Sequence, residues 1–600
     1  MVSVKGESEE LGKFTLKFPK SKESTNTKYN YLVTSSEGLH NLKEKMKSGM
    51  KFFYWDKEHK YQYIGLGGAR LGRGEKAEYI VHQVTTTLPY EMEVVFESES
   101  SVNRPNELKG PIYQREIEQH LTVFNNHFEQ SFGLSKKGFD DNQIQFAKAA
   151  LSNMLGSIGY FTGTPIVKSK YADEPVAYWN TSLYTGVPSR SFFPMGFLWD
   201  EGFHNILIQK WNQEISMDII GHWLDLMNVD GWIPRQLILG PEAAARVPDE
   251  FMTQKDENAN PPTLFLPLQA IVKNLIKSNQ PSDQKYLKNL FPRLKTWYDW
   301  FNRTQQGPEL GSYRWRGRAE DSVKEVNPKT LTSGLDDYPR ASHPTNLERH
   351  LDLRCWMAIM SKVIADIAKS LGQPWQQYAA TYDLLTDEKL LDKQHWSSEK
   401  QRYSDYGLHT DHIKLERPKP KQTAAGQRPP PPPKKIRVVK REPAYRYVDS
   451  QFGYVNLFPF LIKMINPQSP KLARILTDIQ DPSLIWSKYG LRSLGKSSPL
   501  YNKHNTEDDP PYWRGAIWMN VNYMALGALH HYANTEGPYK SQASDIYHQL
   551  RDNIINNLIA QYQATGFIWE NYDDVTGKGK GTHPFTGWSA LVVAIMAEEY

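Results

Sequence analysis

A mainly α-helical protein with a β-rich N-terminal segment is what the sequence predicts, and three observations predict it. The first hundred residues are cut into short aromatic or β-branched runs separated by turn residues. From about Gly138 to Tyr600 the pattern changes to long segments with apolar residues three or four apart. With 600 residues the chain also exceeds the roughly 250–300 at which a single core stops growing, so at least two structural units are expected.

In chain order, KFTLKF, KFFYW, YQYIGLG, EYIVHQVTTTL and EMEVVFES read as strands of a β-sandwich or part of one, over residues 1–105. A linker region, 106–137, follows. Helical periodicity begins with IQFAKAALSNMLGSIGYF and continues through ISMDIIGHWLDLMN, TLFLPLQAIVKNLIKS and NLERHLDLRCWMAIMSKVIADIAKSLG. It resumes in IWMNVNYMALGALHHYA and ASDIYHQLRDNIINNLIAQYQ. About twelve such segments suit an (α/α)6 toroid over residues 138–600, in which loops at one end build a funnel, although periodicity equally allows an irregular bundle or a solenoid. Between about Glu416 and Glu442, five consecutive prolines, Pro429 to Pro433, lie beside a basic flank and predict a protruding polyproline II insertion.

Lysine plus arginine total 72 against 67 aspartate plus glutamate, and a balance of +5 is too even for nucleic acid to be the main partner. The single cysteine, Cys355, rules out a disulfide framework within the chain and any cysteine-based zinc site. No run reaches the roughly 20 apolar residues of a membrane span, and the start MVSVKGESEELGKF lacks the apolar core of a signal peptide. Asn180-Thr181-Ser182 and Asn302-Arg303-Thr304 are glycosylation sequons. Aromatics reach 12%, with 17 Trp and 33 Tyr, which suits stacking on the apolar faces of sugar rings but also the filling of cores.

Three stretches place carboxylates among aromatics and glycines rather than on a solvated helix face. In SRSFFPMGFLWDEGFH, residues 189–204, Phe197, Trp199 and Asp200 close a Gly/Pro-rich loop; Asp200 either caps the following helix or holds a ligand. In TLTSGLDDYPRASHP, residues 330–344, Gly334 permits a tight turn that lifts Asp336 and Asp337 into a crowded loop beside Tyr338 and Arg340. Crowding of two carboxylates raises one pKa towards general-acid duty, whereas an Asx-turn leaves both solvated. In GFIWENYDD, residues 566–574, Glu570 beside Trp569 either deprotonates a water or is a buried structural carboxylate. Two further clusters supply Arg and Trp either to clamp hydroxyls and stack rings or to form interhelical ion pairs and core. One is ERHLDLRCW at 348–356, with Glu348, Asp352, Arg354 and Trp356; the other is PPYWRGAIWMNVNY at 510–523, with Trp513 and Arg514. One carboxylic acid and one carboxylate brought to a common funnel are what inverting hydrolysis of a glycosidic bond requires.

These blocks, with NPKTLTSGLDDYPRASHP and the closing HPFTGWSALVVAIMAEEY, resemble the signature blocks of glycoside hydrolase family 63, in particular its eukaryotic processing α-glucosidases. The likeness runs from about Gly138 to the end in one order. It implies an (α/α)6 toroid preceded by a β-sandwich, no cofactor and no metal, and inverting hydrolysis of the terminal α-1,2-linked glucose of a glucosylated N-linked oligosaccharide in the endoplasmic reticulum lumen. Asp336 matches the Asp of S-G-x-D, the general acid, and Glu570 the Glu of W-E-x-Y, the general base. The substrate-binding positions implied are Phe197, Trp199, Asp200, Asp337, Tyr338, Arg340, Glu348, Asp352, Arg354, Trp356, Trp513, Arg514 and Trp569. The chain is expected to act as a monomer, to meet a membrane only through an anchor outside this sequence, and to hold only the latter part of the sandwich. The S-G-x-D and E-x-Y-D pattern is also similar to that of inverting trehalases, which leaves a trehalase-like or related α-glucosidase as one alternative. Met195 stands where the family pattern carries Arg, and Gln236-Leu237 where it carries Glu-Gln, which leaves a sugar-binding protein with weakened catalysis as another.

Overall fold

The computed structural model describes residues 3–8, 12–19, 26–56, 61–101, 108–278, 280–419 and 431–600. The chain divides into two units, 1–127 and 128–600, with the boundary inside one long helix.

The first unit is sheet-rich. Strands β1 (Ser3–Ser8), β2 (Gly12–Lys17) and β7 (Val95–Ser98) form an antiparallel sheet in the order β1-β2-β7. Strands β3 (Lys28–Thr34), β4 (Met50–Asp56), β5 (Tyr61–Arg70) and β6 (Tyr79–Thr85) form a second, ordered β4-β5-β3-β6. β1 and β3 are additional to the strands read from the sequence. β3 alternates buried and exposed side chains, with Leu32 fully buried, as expected of a strand with one face on a core. Helix α1 (Leu42–Ser48) joins β3 to β4. Residues Gly110–Phe132, within the segment expected to be a linker, form the 23-residue helix α2.

In the second unit helices alternate between an outer and an inner position along the chain. They are α3 (Asp141–Gly156), α4 (Leu198–Trp211), α5 (Gln213–Asp225), the short α6 (Gly240–Ala244) and α7 (Asp249–Met252), α8 (Phe265–Ser278) and α9 (Pro281–Thr304). After these come α10 (Leu351–Ser370), α11 (Gln376–Thr386), α12 (Glu388–His395), α13 (Phe458–Leu461), α14 (Pro470–Gln480), α15 (Met519–Ala533), α16 (Lys540–Thr565) and α17 (Val592–Ala597). α4 packs on α8, α8 on α10, α10 on α13, α13 on α15, and α15 on the 3-10 turn Trp588–Leu591 that leads into α17; that turn returns to α4 and closes a six-membered inner ring. Outside it α3, α5, α9, α11, α14 and α16 each precede or follow an inner partner, which makes the unit an (α/α)6 toroid.

Sequence dictates which ring a helix joins. α9 carries its buried residues on one stripe, Leu287, Leu290, Leu294, Trp297 and Phe301, as an outer helix facing inward should. α10 is buried almost all round, from Leu351 through Ala368, because it is enclosed by both rings. Each fully buried large apolar side chain contributes about 1.5–3 kcal/mol, so this central packing dominates the unit's stability. Asp140 and Gln143 form a reciprocal capping box that starts α3. At Gly202 a Cβ would lie 2.2 Å from the backbone carbon of Thr263, so only glycine lets α4 approach the segment that enters α8.

The predicted polyproline insertion lies partly outside the described residues. Of its flanks, Ile436–Val439 is a strand paired antiparallel with Ile413–Glu416, and Arg417 and Lys434 ion-pair with Glu507 and Asp508. Asn180 is exposed, whereas Asn302 lies on α9 and accepts a hydrogen bond from the Tyr313 hydroxyl at 2.7 Å. Among the described residues no helix is long and apolar enough to cross a membrane.

Candidate active site

Five of the loops that lead from an outer to an inner helix meet around a cavity of about 320 Å³. Its floor is an aromatic belt contributed by the inner-helix starts. Trp199 meets Trp356 edge-on at 6.3 Å and Trp588 at 6.4 Å, and Trp518 stacks flat on Trp513 at 3.8 Å. Such apolar rings exclude water and leave the few polar groups that face the cavity in a low-dielectric setting.

Asp336 reaches the cavity from the loop between α9 and α10. Gly334 shapes that loop: its φ of +74° is left-handed, and a Cβ there would lie 2.8 Å from the Trp199 ring. Burial pushes the Asp336 carboxyl up to about 6; Arg235 and Lys329 oppose the shift, while Asp337 and Glu570 add to it. Thr330 N–H binds the Asp336 backbone carbonyl at 2.9 Å, and no donor among the described residues holds its carboxyl. This group can therefore carry a proton and present it to the cavity.

Glu570 arrives from the loop between α16 and α17 and is 5% exposed. Burial raises its pKa as well, but here hydrogen bonds work against burial. The Tyr512 hydroxyl donates to Oε1, and the Thr582 N–H donates to Oε2 at 2.8 Å. Donors to a carboxylate favour its ionised form, so two buried carboxyls in one cavity are held for opposite duties.

Asp200, in the first turn of α4, also lines the cavity and makes no cap, since the helix begins without a side-chain cap bond. Burial raises its carboxyl to about 7, opposed by His204 and Arg235 and reinforced by Glu570 and Glu201. Its neighbour Glu201 faces the other way, into the core, bound by Thr185 at 2.7 Å and Asn205 at 2.8 Å.

Of the thirteen sequence-derived binding positions, Phe197, Trp199, Asp200 and Trp513 line the cavity with the two carboxyls. The others do not. Asp337 accepts the backbone N–H groups of Tyr512 at 3.0 Å and Trp513 at 2.6 Å, and its own carbonyl accepts from Arg514 Nε at 2.7 Å. Tyr338 donates to Asn456 at 3.2 Å. Arg340 is fully buried between Asp352, at 2.5 Å, and Asp405, at 3.0 Å. Glu348 pairs with Arg318, and Arg354 is spent on Gln394 and the carbonyls of Gly311 and Leu385. Trp356 supports Trp199 from beneath, while Trp569 stacks on His583 at 3.8 Å.

Four polar lining residues, Arg235, Asn260, Arg246 and Tyr512, escaped the sequence reading. Arg235 adjoins Gln236 and Tyr512 lies in PPYWRGAIWMNVNY beside Trp513, so adjacency is the available signal; Arg246 and Asn260 stand in unremarkable loops. Met195 and Gln236 form another part of the cavity wall. Met195 is 3% exposed and packs with Ile238, Ala243, Phe197 and Val247, and the Gln236 amide donates to the Phe251 carbonyl at 3.1 Å. Leu237 is buried behind that wall, paired with Gly196. Among the described residues no group of three or more His, Cys, Asp or Glu is arranged to hold a metal ion.

Residues 108–598 match the family model described as the glycosyl hydrolase family 63 C-terminal domain. The chain is 42% identical to mannosyl-oligosaccharide glucosidase GCS1 of Arabidopsis thaliana, over 90% of this chain and 66% of that protein. It is also 42% identical to alpha-glucosidase 2 of the same plant, over 88% of this chain and 69% of the relative, so it spans about two thirds of these relatives' length. Among solved structures, the family 63 mannosylglycerate hydrolase of Thermus thermophilus in complex with glucose aligns with a TM-score of 0.47 and 16% identity, over 69% of this chain and 95% of that one. On the family match and these identities, the chain belongs to glycosyl hydrolase family 63.

Proposed function

We propose that the protein is an inverting α-glucosidase that removes the terminal α-1,2-linked glucose of a glucosylated N-linked oligosaccharide during N-glycan processing in the endoplasmic reticulum lumen. The observation that carries this reading is the pair of carboxyls in one cavity, Asp336 raised by burial without a donor and Glu570 gripped by two donors. Asp336 gives its proton to the glycosidic oxygen as the bond to the anomeric carbon breaks. Glu570 takes a proton from the water that attacks that carbon on the opposite face, so the α-linked sugar leaves as β-glucose. Solvent exchange then returns the proton to Asp336 and removes it from Glu570.

The remaining lining groups suit a neutral sugar. Trp199, Trp513 and Phe197 offer apolar faces, and Asp200 accepts from sugar hydroxyls, because it faces the cavity with no donor of its own among the described residues. Relatives named for mannosyl-oligosaccharide hydrolysis support the substrate class. A second reading, a related α-glucoside as substrate, draws on Met195 and Gln236, two neutral side chains that line the cavity beside Arg235 and Arg246. Incubation with glucosylated N-glycan, trehalose and an aryl α-glucoside decides: release of one glucose from the glycan alone supports the first reading, and preference for either small glucoside replaces it with the second.

A further inference from the structure

We infer that Tyr512 is a positioning residue that clamps the base carboxylate at a fixed place across from the acid, so that one side chain couples the two loops on which inversion depends. The inference rests on the assignment of Glu570 as base and deepens it. Three contacts define the clamp. The Tyr512 hydroxyl donates to Glu570 Oε1, its backbone N–H donates to Asp337 Oδ2 at 3.0 Å, and Asp337 is the residue that follows the acid. Trp513 N–H reaches the second Asp337 oxygen at 2.6 Å, and Arg514 Nε holds the Asp337 carbonyl at 2.7 Å. The acid loop is thus bolted to residues 512–514, and residue 512 alone reaches on to the base.

The segment itself cannot drift. The Tyr512 ring stands edge-on to Trp518 at 4.7 Å, and Trp513 lies flat on the same indole at 3.8 Å. Glu570 is pinned from its far side by Thr582 N–H at 2.8 Å, which leaves its cavity-facing lone pairs as the place for a water. A base displaced by a fraction of an ångström loses its line to that water, which is why supports of this kind matter to rate.

The hydroxyl has an electrostatic consequence too. It donates to the ionised form of Glu570 and so opposes the effect of burial. The other charged or titratable groups facing Glu570 are Asp336 and Asp200, with Arg235 as the cation acting on both; on its own hairpin Lys580 is turned to Asp573 and His583 is stacked on Trp569.

Tyr512→Phe keeps the ring and removes the hydroxyl. With the full chain and a glucosylated glycan, kcat is expected to fall about 10-fold or more with KM nearly unchanged, and the acid limb of kcat/KM to move up by about one pH unit. The melting temperature should stay at the wild-type value. Independently of activity, the Glu570 carboxyl followed by carbon-13 NMR in labelled protein should titrate at higher pH in the variant. An unmoved acid limb, or an unmoved Glu570 titration, overturns the inference, including when the variant loses stability. If the wild-type protein releases no glucose while the Glu570 titration still moves, the clamp stands and the function reading falls.

Discussion

The loops around the cavity and the start of α10 are equally rich in carboxylates, arginines and tryptophans, yet they use them in opposite ways. Asp200, Asp336 and Arg235 face open space, and Glu570 keeps part of its carboxyl turned to it. Asp352 and Arg354 satisfy their charges inside the protein, against Arg340 and a set of carbonyls, and Glu348 commits one carboxyl oxygen to Arg318. Composition does not separate ligand-binding residues from scaffold; the closure of the hydrogen bonds does. A buried charge with a full set of partners is committed to the fold, and one held by the fold without them is available to chemistry.

Substitutions on the two sides of this divide should fail differently. Asp336→Asn and Glu570→Gln should each lower kcat by about 10²–10⁴-fold or more while the melting temperature holds, because an amide nearly matches a carboxyl in shape but neither donates nor accepts the proton. Turnover near wild type in either variant would erase the distinction. Arg340→Met should instead cost about 3–5 kcal/mol in urea unfolding, since it strands Asp352 and Asp405 in the core. The fraction that remains folded should turn over at a rate within a few-fold of wild type.

pH sharpens the same comparison. Glu570 must be ionised and Asp336 protonated, so kcat/KM should rise as Glu570 loses its proton and decline as pH passes about 6, where Asp336 loses its own. A profile that stays flat to alkaline pH would remove Asp336 from the acid role. The smallest effect is expected from replacing residues 419–435 by a short Gly/Ser linker, which should change kcat/KM by no more than about a few-fold, because a Pro- and Lys-rich segment has little apolar area to bury. A loss on the order of 100-fold would contradict that.

How much of this was legible in the sequence follows from the range of the signals. The helices of the toroid are legible through local periodicity, and α8 and α10 fall within the segments that the pattern predicts. β1, Ser3–Ser8, leaves no apolar pattern because SVKGES carries one apolar residue, whereas KYNYLVT of β3 alternates buried and exposed positions and is the readable one of the two. At the site, the blocks holding Asp200, Asp336 and Glu570 stood out as carboxylates among glycines and aromatics. The partners of Asp352 and Arg354, among them Arg340, Gln394 and Leu385, come from other elements. No local pattern in ERHLDLRCW encodes that closure, and for the same reason Tyr512 read as one aromatic among many.

The central claim is that Asp336 and Glu570 act from opposite faces of the sugar. Proton NMR of the first glucose released from an α-linked glycan, recorded before mutarotation, tests it most directly. The account predicts β-glucose. Initial release of α-glucose would contradict it.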